Sequence, residues 1–268
     1  MARYSEAEIT DIFYDALDYF NDHLDTDISR DNTLLAFFMP ENGAEVYEKI
    51  CSAHFPSHLR ENYRAEGYMD GFLAQAFVGD GCYGVMIRSD LDEELSELFR
   101  VFLHEISHLF CTANEIEGGH FFDRYCMGSG EEDGKMNAGY AIWREFVADM
   151  MADSLISEYA TITLSDAKRE IEHLYSSVSP IEPDSKRCVS LILAYIMISK
   201  EVSTIYEWDK ASAEIEKKLK FNSDALMQML RLVFEKLHQR PFWEISPNFI
   251  YSLGELYLLV ALQKFLTE

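Results

Sequence analysis

Two histidines and a glutamate in this chain have residue types and spacing that suit metal chemistry. They are His104, Glu105 and His108, within Phe102-Leu103-His104-Glu105-Ile106-Ser107-His108-Leu109-Phe110. HExxH on a helix is a zinc-binding pattern with a physical basis. Residues i and i+4 are neighbours on one helix face, so both imidazoles can reach one tetrahedral ion. Glu105 lies about 100° further round the axis. That is too far to ligate in the same way, yet near enough to hold a water that a metal activates.

The flanks predict an amphipathic helix. On a helical wheel Val101, His104, Glu105, His108, Cys111 and Thr112 fall on one side. Leu95, Leu98, Phe99, Phe102, Ile106, Leu109 and Phe110 fall on the other, so that face is expected to be buried. Between Arg100 and Glu115 the only charged or titrating side chains are the two histidines, Glu105 and Cys111. A solvated helix would carry more charge, and the candidate face is therefore expected to line a cleft.

A catalytic zinc site normally has three protein ligands plus water. The metzincin pattern needs a histidine six residues after His108, where Asn114 stands, and it is excluded. Cys111, His120, Asp123 and Cys126 are possible third donors. Glu145 is favoured, in Tyr140-Ala-Ile-Trp-Arg-Glu-Phe-Val-Ala-Asp149. Glu145 and Asp149 form another i, i+4 pair, with Ala138, Ala141, Ala148 and Ala152 along or beside their face. A face of alanines beside two acids is odd for solvent and lets a second helix approach closely. The competing reading is an ordinary solvated acidic face.

HExxH followed by E-x-x-x-D on a second helix resembles the gluzincin (thermolysin-like) zinc metallopeptidases. The likeness spans Asp92 to Ser154, and its spacer, residues 109 to 144, is longer than is usual there. The rest of the chain resembles no specific family. The resemblance implies one zinc ion held by His104, His108 and Glu145, with Glu105 as catalytic base. It also implies Asp149 as the carboxylate that receives the free N–H of a ligand histidine, His104 first, and so orients the ring. Gluzincins add a His or Tyr for the oxyanion; Tyr125, Tyr140, His120, His173 and Tyr175 are candidates.

The function expected is zinc-dependent hydrolysis of peptide bonds by metal-activated water, with a peptide or protein as substrate. The alternatives are a metal-stabilised but catalytically inert interaction protein, and a metal-free helical protein whose HExxH is accidental. The strand just before the metal helix, Cys82–Arg88, is a candidate edge for an extended substrate. A net charge of −24, from 47 acidic and 23 basic residues, repels phosphate backbones and argues against nucleic acid. The five cysteines include no CxxC pair and suit reduced thiols. With no signal-like N-terminus and no apolar run of about 18 residues, a cytoplasmic protein without membrane association is expected. The sequence does not reveal oligomeric state.

The elements that must position these residues suggest a predominantly helical α+β, zincin-like chain. Ser5-Glu-Ala-Glu8 is a capping box opening a helix to about Leu24, with Ile9, Ile12, Phe13, Ala16, Leu17 and Phe20 inward. Leu34–Met39 is a candidate buried strand, 43–54 a short helix, and Gly71–Val78 with Cys82–Arg88 a hairpin around Gly79-Asp80-Gly81. The sheet is expected to be small and mostly antiparallel. Asp90 or Asp92 should cap the metal helix, with Glu93 and Glu94 in its first turn. Asn114 to Gly139 reads as a long glycine-rich loop. Helices follow at about 140–159, 165–178, 185–202, 209–219, 223–239 and 247–266. Cys188–Ser199 would be a core helix, and Arg231, Lys236 and Arg240 ordinary surface charge. The division expected is a catalytic region, 1–160, and a helical subdomain, 161–268.

Overall fold

The computed structural model describes residues 3–60, 63–65, 67–71, 73–114, 116, 121, 124–156, 210, 213, 224–239 and 242–266. Among these the fold is α+β and mostly helical, with six helices and one small mixed sheet. The chain divides into two compact units, Met1–Asn114 and Glu115–Glu268. The expected boundary after residue 160 and the helices expected at 165–178 and 185–202 lie outside the described residues.

The first unit begins with α1, Glu6–Leu24, opened by the expected capping box: the Glu8 N–H donates to Ser5 Oγ, and Glu8 Oε2 receives the Ser5 N–H at 2.8 Å. Ile9, Phe13, Ala16, Leu17 and Phe20 are buried, while Ile12 keeps some exposure. α1 packs on α3, Leu95–Ala113, through edge-on ring pairs, Phe13 with Phe102 and Phe20 with Phe110.

Three strands, β1 (Thr33–Phe38), β2 (Ala74–Val78) and β3 (Tyr83–Arg88), form a sheet in the order β1-β3-β2. The β2–β3 hairpin is as expected: the Gly79 N–H donates to the Cys82 carbonyl at 2.8 Å and Gly81 takes φ +74. The sheet is nevertheless mixed, because β1 pairs parallel to β3. β1 is an edge strand, so Leu34 is 38% exposed where a buried strand was expected. β3 is paired on both sides and has no free edge to offer a substrate; β1 and β2 are the edges. α2, Gly43–His54, covers one face of the sheet through Tyr47, which packs with Phe38, Phe55, Phe77 and Met86. α3 packs against β2.

The second unit contains α4 (Glu131–Ile156), α5 (Asp224–Leu237) and α6 (Pro247–Leu266). α4 starts nine residues before the expected Tyr140, inside what reads as a glycine-rich loop. Two local effects favour the early start. Glu131, Glu132 and Asp133 fill the first turn, where the helix dipole favours anions, and Asp133 Oδ2 receives the Gly130 N–H at 2.7 Å. The third is tertiary. At Gly139 an added Cβ would lie 1.9 Å from the Ile250 carbonyl oxygen, and at Gly254 one would lie 1.8 Å from the Lys135 carbonyl oxygen. The two glycines let the backbones of α4 and α6 touch, and the contact offsets the about 1 kcal/mol that glycine costs in a helix. Lys135 Nζ adds a 2.9 Å hydrogen bond to the Tyr251 hydroxyl and sits 3.5 Å from Glu255.

Lys236 departs from its expected surface role. It is 7% exposed, donates to the Glu244 carbonyl at 2.5 Å, and has its ammonium 5.7 Å from the Phe249 ring centre. Burial pushes its pKa below the ordinary lysine value. The long aliphatic stem is buried while the head finds a carbonyl, a use of lysine that periodicity cannot distinguish from solvent exposure. Arg231 keeps an exposed i, i+4 pair with Glu235. Arg240 and the Cys188–Ser199 helix lie outside the described residues.

Candidate metal centre

α3 is where the chemistry concentrates. Its apolar side is sealed: Leu98, Phe102, Leu103, Ile106 and Leu109 are fully buried. Leu95 is 55% exposed and does not join them, because it stands at the helix start. The expected caps do not form either. Arg88 draws Asp90 away with two hydrogen bonds of 2.8 and 2.6 Å, holding its carboxyl below the usual range, chiefly through those bonds. The helix starts instead after Glu94, whose side chain caps nothing and is held by Arg3 at 2.7 Å. Glu93 therefore lies before the helix and Glu97 is the acid of its first turn.

On the other side, His104 and His108 converge. Their Nε2 atoms are 3.1 Å apart, with ring planes at 84°. Two imidazole nitrogens at that distance must share a proton or a cation, since two bare lone pairs repel. Zinc–nitrogen bonds of about 2.0–2.1 Å at a tetrahedral angle would put the nitrogens about 3.3 Å apart, so the pair fits such an ion with a small adjustment. Glu105 is 7% exposed and His108 6%, while His104 is half-buried. An ionisable triad this dry has chemistry to do or partners to satisfy it. Ser107 between them turns away, its hydroxyl bound to the Leu103 carbonyl at 2.7 Å.

α4 carries the second set. Glu145 is half-buried and Asp149 is 3% exposed, with Ala148 and Ala152 fully buried. An ordinary solvated acidic face is ruled out by that burial. Trp143, Phe146 and Val147 are buried too, with Trp143 edge-on to Phe249 at 5.1 Å. One acid escaped sequence reasoning. Asp153 is also 3% exposed, and its signal was present: it stands four residues after Asp149 in the same row.

The alternative donors fare unevenly. Cys111 is fully buried on α3. Cys126 is buried, and desolvation, with Asp133 adding to it, raises its thiol pKa to about 11, so it is a neutral thiol near pH 7. Of the oxyanion candidates, Tyr140 is 6% exposed and stacks on Phe121 at 5.9 Å, and Tyr125 packs on the same ring at 4.8 Å. His120, Asp123, His173 and Tyr175 lie outside the described residues. Within the first unit the described donors are the two imidazole nitrogens of α3, and within the second the Glu145 carboxylate of α4; each is a ligand type that metal ions take. Compared with known proteins, the chain matches no family model, no curated protein and no solved structure.

Proposed function

We propose that this chain is a zinc-dependent metallopeptidase acting on peptide or protein substrates. One observation carries the reading: a half-buried and a buried imidazole with nitrogens 3.1 Å apart, next to a buried glutamate on the same helix. His104 and His108 would hold zinc, with Glu145 as third ligand; each offers one donor atom. The two-histidine, one-glutamate set leaves a coordination position open for reaction. Zinc bound there supplies Lewis acidity, polarising the scissile carbonyl and bringing the pKa of water toward about 7.

The chain's own residues do the rest. Glu105, at the position after the first ligand, accepts a proton from the attacking water and later hands it to the leaving amine. Asp149 accepts the remaining N–H of His104, fixing that ring's tautomer and orientation. Asp149 suits the role because a buried carboxylate demands a donor. β2, an edge strand packed on the helix that carries both histidines, has ladder groups for an extended substrate. That strand replaces β3 in the role. No helix among the described residues is long and apolar enough to cross a membrane.

The test is Glu105→Gln. It should retain zinc at one ion per chain while hydrolysis of an unfolded protein substrate falls by about 10²–10⁴-fold. Unchanged hydrolysis would remove Glu105 as the base, and wild-type protein without bound metal would remove the zinc site.

A further inference from the structure

In an antiparallel pair, opposed residues alternate between those that exchange both hydrogen bonds and those whose N–H and C=O point away from the partner strand. Two bonds fix that alternation in the β2–β3 hairpin. The Gly79 N–H donates to the Cys82 carbonyl at 2.8 Å, and the Arg88 N–H to the Leu73 carbonyl at 2.9 Å. Counting from either end gives the same parity, with Phe77 bonded to Gly84 and Gln75 to Met86. Ala74, Ala76 and Val78 therefore turn their N–H and C=O groups outward, onto the free edge of β2.

The three outward rungs are not equivalent. Ala74 is 6% exposed, so its rung is covered. At the other end, His58 Nε2 lies 3.1 Å from the Val78 carbonyl oxygen. A carbonyl only accepts, so Nε2 carries the hydrogen and donates. The His58 ring is half-buried and edge-on to the buried rings of Phe55 and Phe77, at 6.3 and 5.6 Å. Its backbone is held as well, since the hydroxyl of buried Tyr47 donates to the His58 carbonyl. Between these ends Ala76 is half-buried, and among the described residues nothing bonds its outward groups. We propose that, in the substrate-strand role given to β2 above, His58 is a positioning residue. It ends substrate pairing at Val78 and leaves Ala76 as the single rung. An extended peptide then receives two ladder hydrogen bonds from this edge, both to one substrate residue. A longer edge would let the peptide slip by two residues with its side chains on the same faces; one rung does not. Filling the Val78 carbonyl also blunts the edge against unrelated strands.

The test is His58→Ala on the full zinc-loaded chain, with a fluorescein-labelled decapeptide as probe. Freeing the Val78 carbonyl adds a rung, so KM should fall about 3- to 10-fold, as one net hydrogen bond allows, with kcat kept. His58→Gln, whose amide can donate to the same carbonyl, should return KM to the wild-type value. Ala76→Pro removes the outward N–H without touching the β2–β3 ladder and should raise KM by a similar factor. An unchanged or raised KM in His58→Ala overturns the end-stop, and an unchanged KM in Ala76→Pro overturns the single rung. Where wild-type protein leaves the decapeptide uncut, fluorescence anisotropy decides: tighter binding to His58→Ala supports the end-stop, and equal or absent binding overturns it. Failure to cut an unfolded protein as well removes the metallopeptidase reading without touching that comparison. If His58→Ala does not fold, wild-type protein is given decapeptides carrying one N-methyl group moved along the backbone. Weaker binding at one position supports the single rung; weaker binding at several positions, or at none, overturns it.

Discussion

Gly139→Ala should separate a loop glycine from a helix-packing glycine. The added Cβ would sit 1.9 Å from the Ile250 oxygen, 2.9 Å from its carbonyl carbon and 2.8 Å from the Gly254 nitrogen. A carbon–oxygen contact needs about 3.3 Å, so α6 must move away by about 1.4 Å or both helices must bend. All three obstructing atoms are backbone, so no rotamer change relieves them. Overpacking of this kind costs about 1–3 kcal/mol, and a rigid obstruction belongs at or above the top of that range. Against it, alanine returns about 1 kcal/mol of helix propensity. The net expectation is a loss of about 2 kcal/mol. Gly134, five residues earlier in the same helix, has nothing within 4 Å of an added Cβ. There the propensity term stands alone, and Gly134→Ala should stabilise by up to about 1 kcal/mol. Equilibrium urea unfolding followed by tryptophan fluorescence suits the comparison, because Trp143 is fully buried one helical turn from Gly139. The reasoning is refuted if Gly139→Ala is as stable as wild type, or if the two variants shift in the same direction.

Other expectations follow from the same structure. Ser5→Ala removes the hydroxyl that receives the Glu8 N–H and should cost about 0.5–2 kcal/mol in the same unfolding experiment. Arg88→Ala should flatten part of the acid limb of the stability curve. Asp90 has its folded pKa depressed by Arg88, so its contribution is present above the unfolded pKa of about 3.9 and lost as pH falls through the folded value. The stability difference between wild type and Arg88→Ala should therefore be constant above about pH 5 and shrink below about pH 4; a difference that grows with acidity would reverse the sign. Cys51 and Cys126 have thiol pKa values raised by burial to about 11. Neither should react with a thiol reagent at pH 8 until the protein unfolds, and rapid labelling of both in native protein would contradict their burial.

Much of the fold is legible from local rules. The capping box, the 3.6-residue pattern of α1 and α3 and the Gly79-Asp80-Gly81 turn each depend on neighbours within a few residues. They appear where expected for that reason. The HExxH helix is legible for the same cause, since one helical step of four residues is all that brings His104 and His108 together. Local rules mislead where distant partners intervene. Asp90 has the chemistry of a cap, yet Arg88 binds it first. Gly128, Gly130, Gly134 and Gly139 read as a loop, but the last two are inside α4, and Gly139 is where α6 makes close contact.

What the sequence by itself determines is the row of donors on each helix, because helical periodicity alone sets which residues share a face. Tertiary structure decides what periodicity cannot encode. It pairs β3 on both sides and so moves the free edge to β2. It buries Lys236 behind a carbonyl, and it takes Asp149 and Asp153 out of water. Burial is a property of what packs over a face, and a pattern of acids beside alanines is the same string whether it meets solvent or another helix. Only burial distinguishes a solvated stripe from carboxylates that must find a donor or a cation.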